Sequence, residues 1–285
     1  MTDADHEFAA PDITQRKNAG LSRLADYTLA QPHERYSDDD ARVWTTLFAR
    51  QLALLPGRAC DEFLAGLEAL ALPADRVPDF ADLNARLGAA TGWRIVAVPG
   101  LIPDLVFFEH LANRRFPVTW WLREPAQLDY LPEPDLFHDL FGHVPLLTNL
   151  VFADYLQAYG RGGLKASHLH ALPMLARLYW YTVEFGLIAT PAGLRIYGAG
   201  ILSSRGESAH CLEDAAPRRI GFDVRRIMRN RYHIDRYQDT YFVIDSFAQL
   251  FDATAPDFAP YYTEVAALPD LAPGELLADD RRIAI

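Results

Sequence analysis

The chain has 285 residues, half of them hydrophobic and 12% aromatic, with 38 acidic against 27 basic side chains and a formal charge of −11. That balance argues against nucleic acid or an anionic membrane as partner, and no run approaches the roughly 18 apolar residues of a membrane span. Two distant cysteines, Cys60 and Cys211, make a thiolate zinc site or a disulfide framework a poor fit, and the acidic N-terminus lacks the apolar stretch of a secretory signal, so the protein reads as cytoplasmic.

Residues 1–38 mix Pro, Gly, Asp and basic side chains without periodicity and read as a partly ordered extension. Helical spacing begins at Asp39, with Val43, Trp44, Leu47, Phe48 and Leu52 on one face. Asp38 to Asp40 are capping candidates, and Pro56-Gly57 ends the segment. A second helix carries Phe63, Leu64, Leu67 and Leu70, and a third carries Phe80, Leu83 and Leu87 between Pro78 and Gly92. Residues 93–98 read as a strand closed by Pro99-Gly100, residues 105–113 as a helix, and residues 116–121 as a second extended run. Helices follow near 149–159 and 170–188, with strands at 195–197 and 240–244. With no repeat and no linker, the reading is one domain, residues 39–272, predominantly α with short peripheral strands (α+β). Residues 273–285 form an acidic, loosely held tail.

The chemistry concentrates in PEPDLFHDLFGHVPLL (132–147) and LYWYTVEFGL (178–187). His138, His143 and Glu184 supply two imidazoles and one carboxylate, the donor set of the facial triad that leaves half of an Fe(II) coordination sphere open. On a regular α-helix residues five apart are separated by about 140°, so HxxxxH cannot face one ion from an unbroken helix. The sequence predicts a break. Pro134-Asp135 starts a short helix, Gly142 takes a positive φ at its end, and His143 swings back before Pro145. A histidine pair can also simply pack in a core. Glu184 in an otherwise apolar helix weighs against that here, because a carboxylate there is costly unless paired or metal-bound.

These two stretches and IYGAGILSS (196–204), occurring in the same order, resemble the catalytic domain of the pterin-dependent aromatic amino acid hydroxylases, and the likeness to bacterial members covers nearly the whole chain. The resemblance implies that fold, and hydroxylation of L-phenylalanine to L-tyrosine with O₂, Fe(II) and tetrahydrobiopterin or a related tetrahydropterin. It carries the metal ligands onto His138, His143 and Glu184. It assigns the pterin to the Phe107 ring and the backbone of Gly100, Leu101 and Ile102, with Asp139 on the pterin side or behind the first ligand. The substrate's α-carboxylate falls to Arg123, whose planar fork suits it. Ser203 and Gly200 contact the amino acid, and Pro134, Trp180 and Phe185 wall its ring.

One departure is Leu131, where animal members carry a hydroxyl residue, so any side-chain hydrogen bond from that position is absent. There is no room for the animal regulatory domain and no heptad for a tetramerising coil, so a monomer without substrate activation is expected. The same chemistry on tryptophan or tyrosine is the sibling reading. A 2-oxoglutarate oxygenase on a β-barrel and a non-catalytic His₂Glu metal-binding protein are the alternatives from other classes.

Overall fold

Local capping chemistry sets the first long helix. After α1 (Asp12–Asn18), α2 (Asp38–Leu54) starts at a reciprocal capping box in which Ser37 Oγ accepts from Asp40 N at 3.2 Å and Asp40 Oδ2 accepts from Ser37 N at 2.9 Å. The cap is therefore Ser37 rather than one of the three aspartates. Val43, Trp44, Leu47 and Phe48 are buried as the spacing requires, whereas Leu52 faces out. The structure, a computed structural model, describes residues 12–129 and 131–284.

Helices α3 (Asp61–Leu70) and α4 (Phe80–Thr91) follow, the latter closed by Gly92 at φ 74°. Strand β1 (Arg94–Val98) runs parallel to β2 (Arg115–Thr119), and α5 (Asp104–Ala112) makes the crossover between them. Helix α6 (Leu150–His168) continues well past the expected end near residue 159. It does so through Gly160 and Gly163, where a Cβ would stand 2.6 Å from the Leu111 side chain and 2.1 Å from the Phe108 ring. Those glycines let α5 lie directly on α6, and the contact outweighs their poor helix propensity.

The segment expected as one helix over 170–188 divides into three parts. Helix α7 (Leu172–Tyr179) opens into a π-helical turn, Trp180–Glu184, and the chain then enters β3 (Leu187–Thr190). Strand β4 (Gly193–Ile196), α8 (Ala199–Leu202), α9 (Arg205–Glu213), β5 (Arg218–Gly221), α10 (Val224–Arg229), β6 (Thr240–Ile244), α11 (Phe247–Thr254) and α12 (Ala259–Ala266) complete the order. The larger sheet runs β4–β3–β6–β5, with β3–β4 antiparallel and the other two pairs parallel. Strand β6 is buried along its whole length, as its unbroken apolar run requires. Strand β5 and the helices on either side of it were not anticipated.

The strands of the described residues form two small open sheets rather than a barrel, so the 2-oxoglutarate alternative has no scaffold here. The fold is mostly helical, as expected, and no helix among the described residues is long and apolar enough to cross a membrane. Cys60 and Cys211 are buried free thiols. Behind the histidine-bearing turn, Phe137 stacks on Phe141 at 4.8 Å and is met edge-on by Trp44 at 5.5 Å, while Phe48 and Phe63 close on Phe141. Each ring removes on the order of 4 kcal/mol of apolar surface from water, which fixes the back of that turn. In front of it, Thr14 Oγ1 donates to Glu133 at 2.6 Å and Tyr36 donates to Trp120 O at 2.7 Å. The C-terminal stretch lies along β5, with Gly221 N donating to Arg281 O and Ile283 N to Arg219 O.

Candidate metal centre

His138 and His143 share one π-helical turn, His138–His143, that runs without a break into a 3₁₀ turn, Val144–Thr148. This corrects the expected broken helix. Widening the hydrogen-bond register from i→i+4 to i→i+5 brings residues five apart close to one face, so no reversal of the chain is needed. Gly142 has no positive φ. Its role is spatial, since a Cβ would stand 2.9 Å from Ala199 O and 3.1 Å from Ala199 Cβ. The second π-helical turn presents Glu184, and there Phe185 N donates to Trp180 O at 2.8 Å. Both ligand-bearing segments therefore use the same device.

The three side chains converge. His143 Nε2 lies 3.2 Å from Glu184 Oε1 and 3.2 Å from His138 Nε2, and His138 Nε2 lies 3.5 Å from Glu184 Oε2. All three ligand atoms fall within 4.8 Å of one another. Two imidazoles and a carboxylate suit a divalent transition metal. Burial pushes the His138 imidazolium down to about 4, against the pull of Glu184, so the ring is neutral and able to donate its lone pair. Burial also works against the Glu184 carboxylate, but His143 and then His138 outweigh it and hold the group below the usual range.

Ser203 stands behind His138. Its Oγ donates to Ala199 O at 2.8 Å, so it accepts from His138 Nδ1 at 2.9 Å. That bond puts the proton on Nδ1 and leaves Nε2 bare toward the metal position. Sequence reasoning assigned Ser203 to the amino acid; the bond of its hydroxyl to His138 was not anticipated. The glycines of residues 198–200 press on the Glu184 turn: a Cβ at Gly198 would meet Glu184 O at 2.4 Å, and one at Gly200 would meet the Phe185 ring at 2.8 Å and Glu184 O at 3.1 Å. Segment 198–203 therefore steadies His138 and Glu184 together.

Arg123 is buried, and its fork is already engaged. Its Nε and Nη2 each donate to Asp135 at 2.8 Å, while Nη1 makes only a long contact to Leu128 O at 3.4 Å. Asp135 also accepts from Arg123 N at 2.9 Å and from His138 N at 3.1 Å. This pair fixes both the guanidinium plane and the start of the histidine turn, and it leaves the Nη1 edge for a second carboxylate. Sequence reasoning used Asp135 only to start the helix, and the nearer acids Glu124 and Asp129 are not the partners of Arg123. Those two pair with Arg16 and Arg50 instead.

Asp139 is tied to the end of β2, where Oδ2 accepts from Thr119 N at 2.7 Å. Burial pushes its carboxyl up to about 7. Phe107 meets Tyr179 edge-on at 5.7 Å, and Tyr179 lies 6.3 Å from His143, so the Phe107 ring is one aromatic removed from the ligands. Gly100 takes φ 149° where Thr14 closes on it, and Pro99 O accepts from Trp121 and Asn18. Leu101 is exposed and Ile102 half-buried. Trp180 lies 4.7 Å from Phe185 and stacks on Tyr232 at 4.2 Å, and Pro134 and Leu131 are half-buried. Tyr179, Tyr232 and Gln238 escaped the sequence reading. Tyr179 alone had a local signal, standing five residues before Glu184.

The sequence pattern of the biopterin-dependent aromatic amino acid hydroxylase family matches residues 1–259. The chain is 70% identical over 275 residues to a phenylalanine-4-hydroxylase of Chromobacterium violaceum, covering 96% of this chain and 93% of the relative. It is 67% identical over 261 residues to one from Ralstonia nicotianae, covering 92% and 83%. The crystal structure of the C. violaceum phenylalanine hydroxylase with iron and phenylalanine bound superposes with a TM-score of 0.93 at 69% identity, over 96% of this chain and all of that one. The cobalt-bound form of the same protein gives 0.95 at 70% identity, over 97% and 100%.

Proposed function

The chain belongs to the biopterin-dependent aromatic amino acid hydroxylase family, and on that premise we propose that it is a phenylalanine 4-monooxygenase. It converts L-phenylalanine to L-tyrosine with O₂ and tetrahydrobiopterin or a related tetrahydropterin, placing one oxygen atom on the substrate ring and the other on the pterin. The observation that carries this reading is the convergence of His138, His143 and Glu184 at the foot of an aromatic-walled site.

His138, His143 and Glu184 would hold Fe(II), and their donor set fits it. When bound, iron and tetrahydropterin supply the oxygen activation that no side chain provides. The chain's own residues bind, orient and exclude water. Ser203 keeps His138 in the tautomer that offers Nε2, and the close packing of Gly198 and Gly200 steadies the Glu184 turn. Arg123, held flat by Asp135, takes the substrate carboxylate on its remaining edge. Pro134, Trp180 and Phe185 wall the substrate ring. Phe107 and the backbone of Gly100, Leu101 and Ile102 would hold the tetrahydropterin, by one aromatic face and by backbone donors and acceptors, with Asp139 on that side of the first histidine. A cytoplasmic monomer without substrate activation completes the proposal. A tetramer on light scattering, or a sigmoidal rate curve, would count against that part.

The test loads anaerobic apoprotein with Fe(II), adds tetrahydrobiopterin, L-phenylalanine and air, and follows tyrosine against pterin and O₂ consumed. Tyrosine in proportion to both, lost in His138→Ala and Glu184→Ala, is expected. Pterin oxidation without tyrosine would reassign the substrate to tryptophan, and turnover independent of iron and pterin would overturn the reading.

A further inference from the structure

Trp180 stacks on Tyr232 with an interplanar angle of 14° and leans on Phe185. Stacking alone lets an indole slide and turn in its own plane. The directional constraint is the bond from Trp180 Nε1 to Gln238 Oε1 at 2.9 Å. Gln238 is 2% exposed, and both ends of its amide are committed. Its Nε2 donates to His233 O at 2.8 Å and to Arg236 O at 3.3 Å. A flipped amide would set its oxygen against those two carbonyls and its NH₂ against the indole N–H, so only one orientation is satisfied.

The backbone of Gln238 is anchored in turn. Its N–H donates to Glu207 Oε1 at 3.0 Å, and that same oxygen receives the Tyr241 hydroxyl. Glu207 sits on α9, 4% exposed. One buried amide thus ties together the indole N–H and the 233–236 backbone beside Tyr232, on which the indole stacks.

We infer that Gln238 is a positioning residue that fixes the orientation of Trp180 within its stacking plane and through it the fit of the substrate's aromatic ring. The inference rests on the reading of Trp180 as a wall of the phenylalanine pocket. Removing the amide frees the indole while leaving the metal ligands and the pterin side untouched. L-Phenylalanine should then bind more weakly, by about tenfold for the loss of one buried hydrogen bond and the ordering it imposes, and a pocket with a mobile wall should admit larger rings.

The test compares wild type with Gln238→Met, which keeps length and removes both polar ends. A second variant replaces Trp180 by β-(3-benzothienyl)alanine, which keeps the bicyclic ring and removes only the N–H. Calorimetry on the Co(II)-loaded protein gives Kd for L-phenylalanine and for tetrahydrobiopterin. Turnover of the Fe(II) form gives the ratio of kcat/KM for phenylalanine to that for tryptophan. Both variants should weaken phenylalanine about tenfold, leave tetrahydropterin within twofold, and lower the phenylalanine preference by a similar factor. Combining them should cost no more than either alone. Unchanged phenylalanine affinity, equal loss of both ligands, or multiplicative losses in the combined variant would overturn the inference. If Gln238→Met does not fold, the benzothienyl variant decides by itself. Wild type inactive on phenylalanine would overturn the parent reading, whereas an active wild type with an unaffected benzothienyl variant would sink the positioning role alone.

Discussion

Asp135→Asn is the sharpest single perturbation of the site's scaffold. Four donors point at this fully buried carboxylate: Arg123 N and Nε at Oδ2, and Arg123 Nη2 and His138 N at Oδ1. An asparagine offers one oxygen and one NH₂, so in either orientation two donors face a third. The Arg123 guanidinium, itself only 8% exposed, loses its counter-charge where little water can replace it. Breaking a buried pair from one side costs about 3–5 kcal/mol. For a domain of this size that corresponds to a fall in Tm of about 6–10 °C. Because the guanidinium plane and the histidine turn share this carboxylate, KM for phenylalanine should rise and Co(II) affinity should fall in the same variant. Scanning calorimetry on the metal-free protein, followed by metal titration and steady-state kinetics, reads all three. A Tm within about 2 °C of wild type with unchanged KM would refute the claim that Asp135 holds Arg123 and His138 in place.

Three further outcomes follow from the geometry. Ser203→Ala removes the acceptor for His138 Nδ1, and Co(II) or Fe(II) affinity should fall at least about tenfold with little change in the Tm of the metal-free protein. Equal metal affinity by calorimetry would return Ser203 to the substrate side. Gly142→Ala forces a methyl against Ala199, which should cost about 1–3 kcal/mol by urea denaturation and weaken metal binding, since α8 must move; a silent substitution would show that the contact is slack. Co(II) at a hundred times its Kd should raise stability by about 2.7 kcal/mol, and His143→Ala should abolish that gain while remaining folded. A rise that survives His143→Ala would place the metal elsewhere.

Much of the architecture was readable because it is local. Val43, Trp44, Leu47 and Phe48 announce α2, Gly92 closes α4, and the apolar run 240–244 is β6. That His138, His143 and Glu184 converge was readable as well, since a carboxylate among Tyr181, Val183 and Phe185 calls for a partner. What failed depended on neighbours distant in sequence. The length of α6 is set by Phe108 and Leu111 lying against Gly163 and Gly160, and nothing within residues 150–168 encodes that contact. Gly142 looked like a helix terminator because glycine often is one, whereas here it makes room for Ala199. The bonds of Ser203 to His138 and of Asp135 to Arg123 were passed over because the fold alone brings these partners together. Strand β5 consists of two arginines, an isoleucine and a glycine, which is no strand pattern until β6 and the C-terminal stretch supply its partners.

The two π-helical turns bear on what happens when the molecule loosens. Such a turn has poorer hydrogen-bond geometry than an α-helix and persists only where surrounding packing holds it. Here the Phe137–Phe141 stack holds one, and the glycines of 198–200 hold the other. A chain that loses this packing has no reason to keep the wide register, and on relaxing to α-helix it turns His138 and His143 to different sides. The competence to hold a metal is thus tied to an intact interior rather than to the peptide that bears the ligands. A partly unfolded molecule would shed its iron before it could spend oxygen and pterin without product. Metal release should therefore coincide with, or precede, the loss of near-ultraviolet circular dichroism on heating, and metal retained beyond that point would break the link.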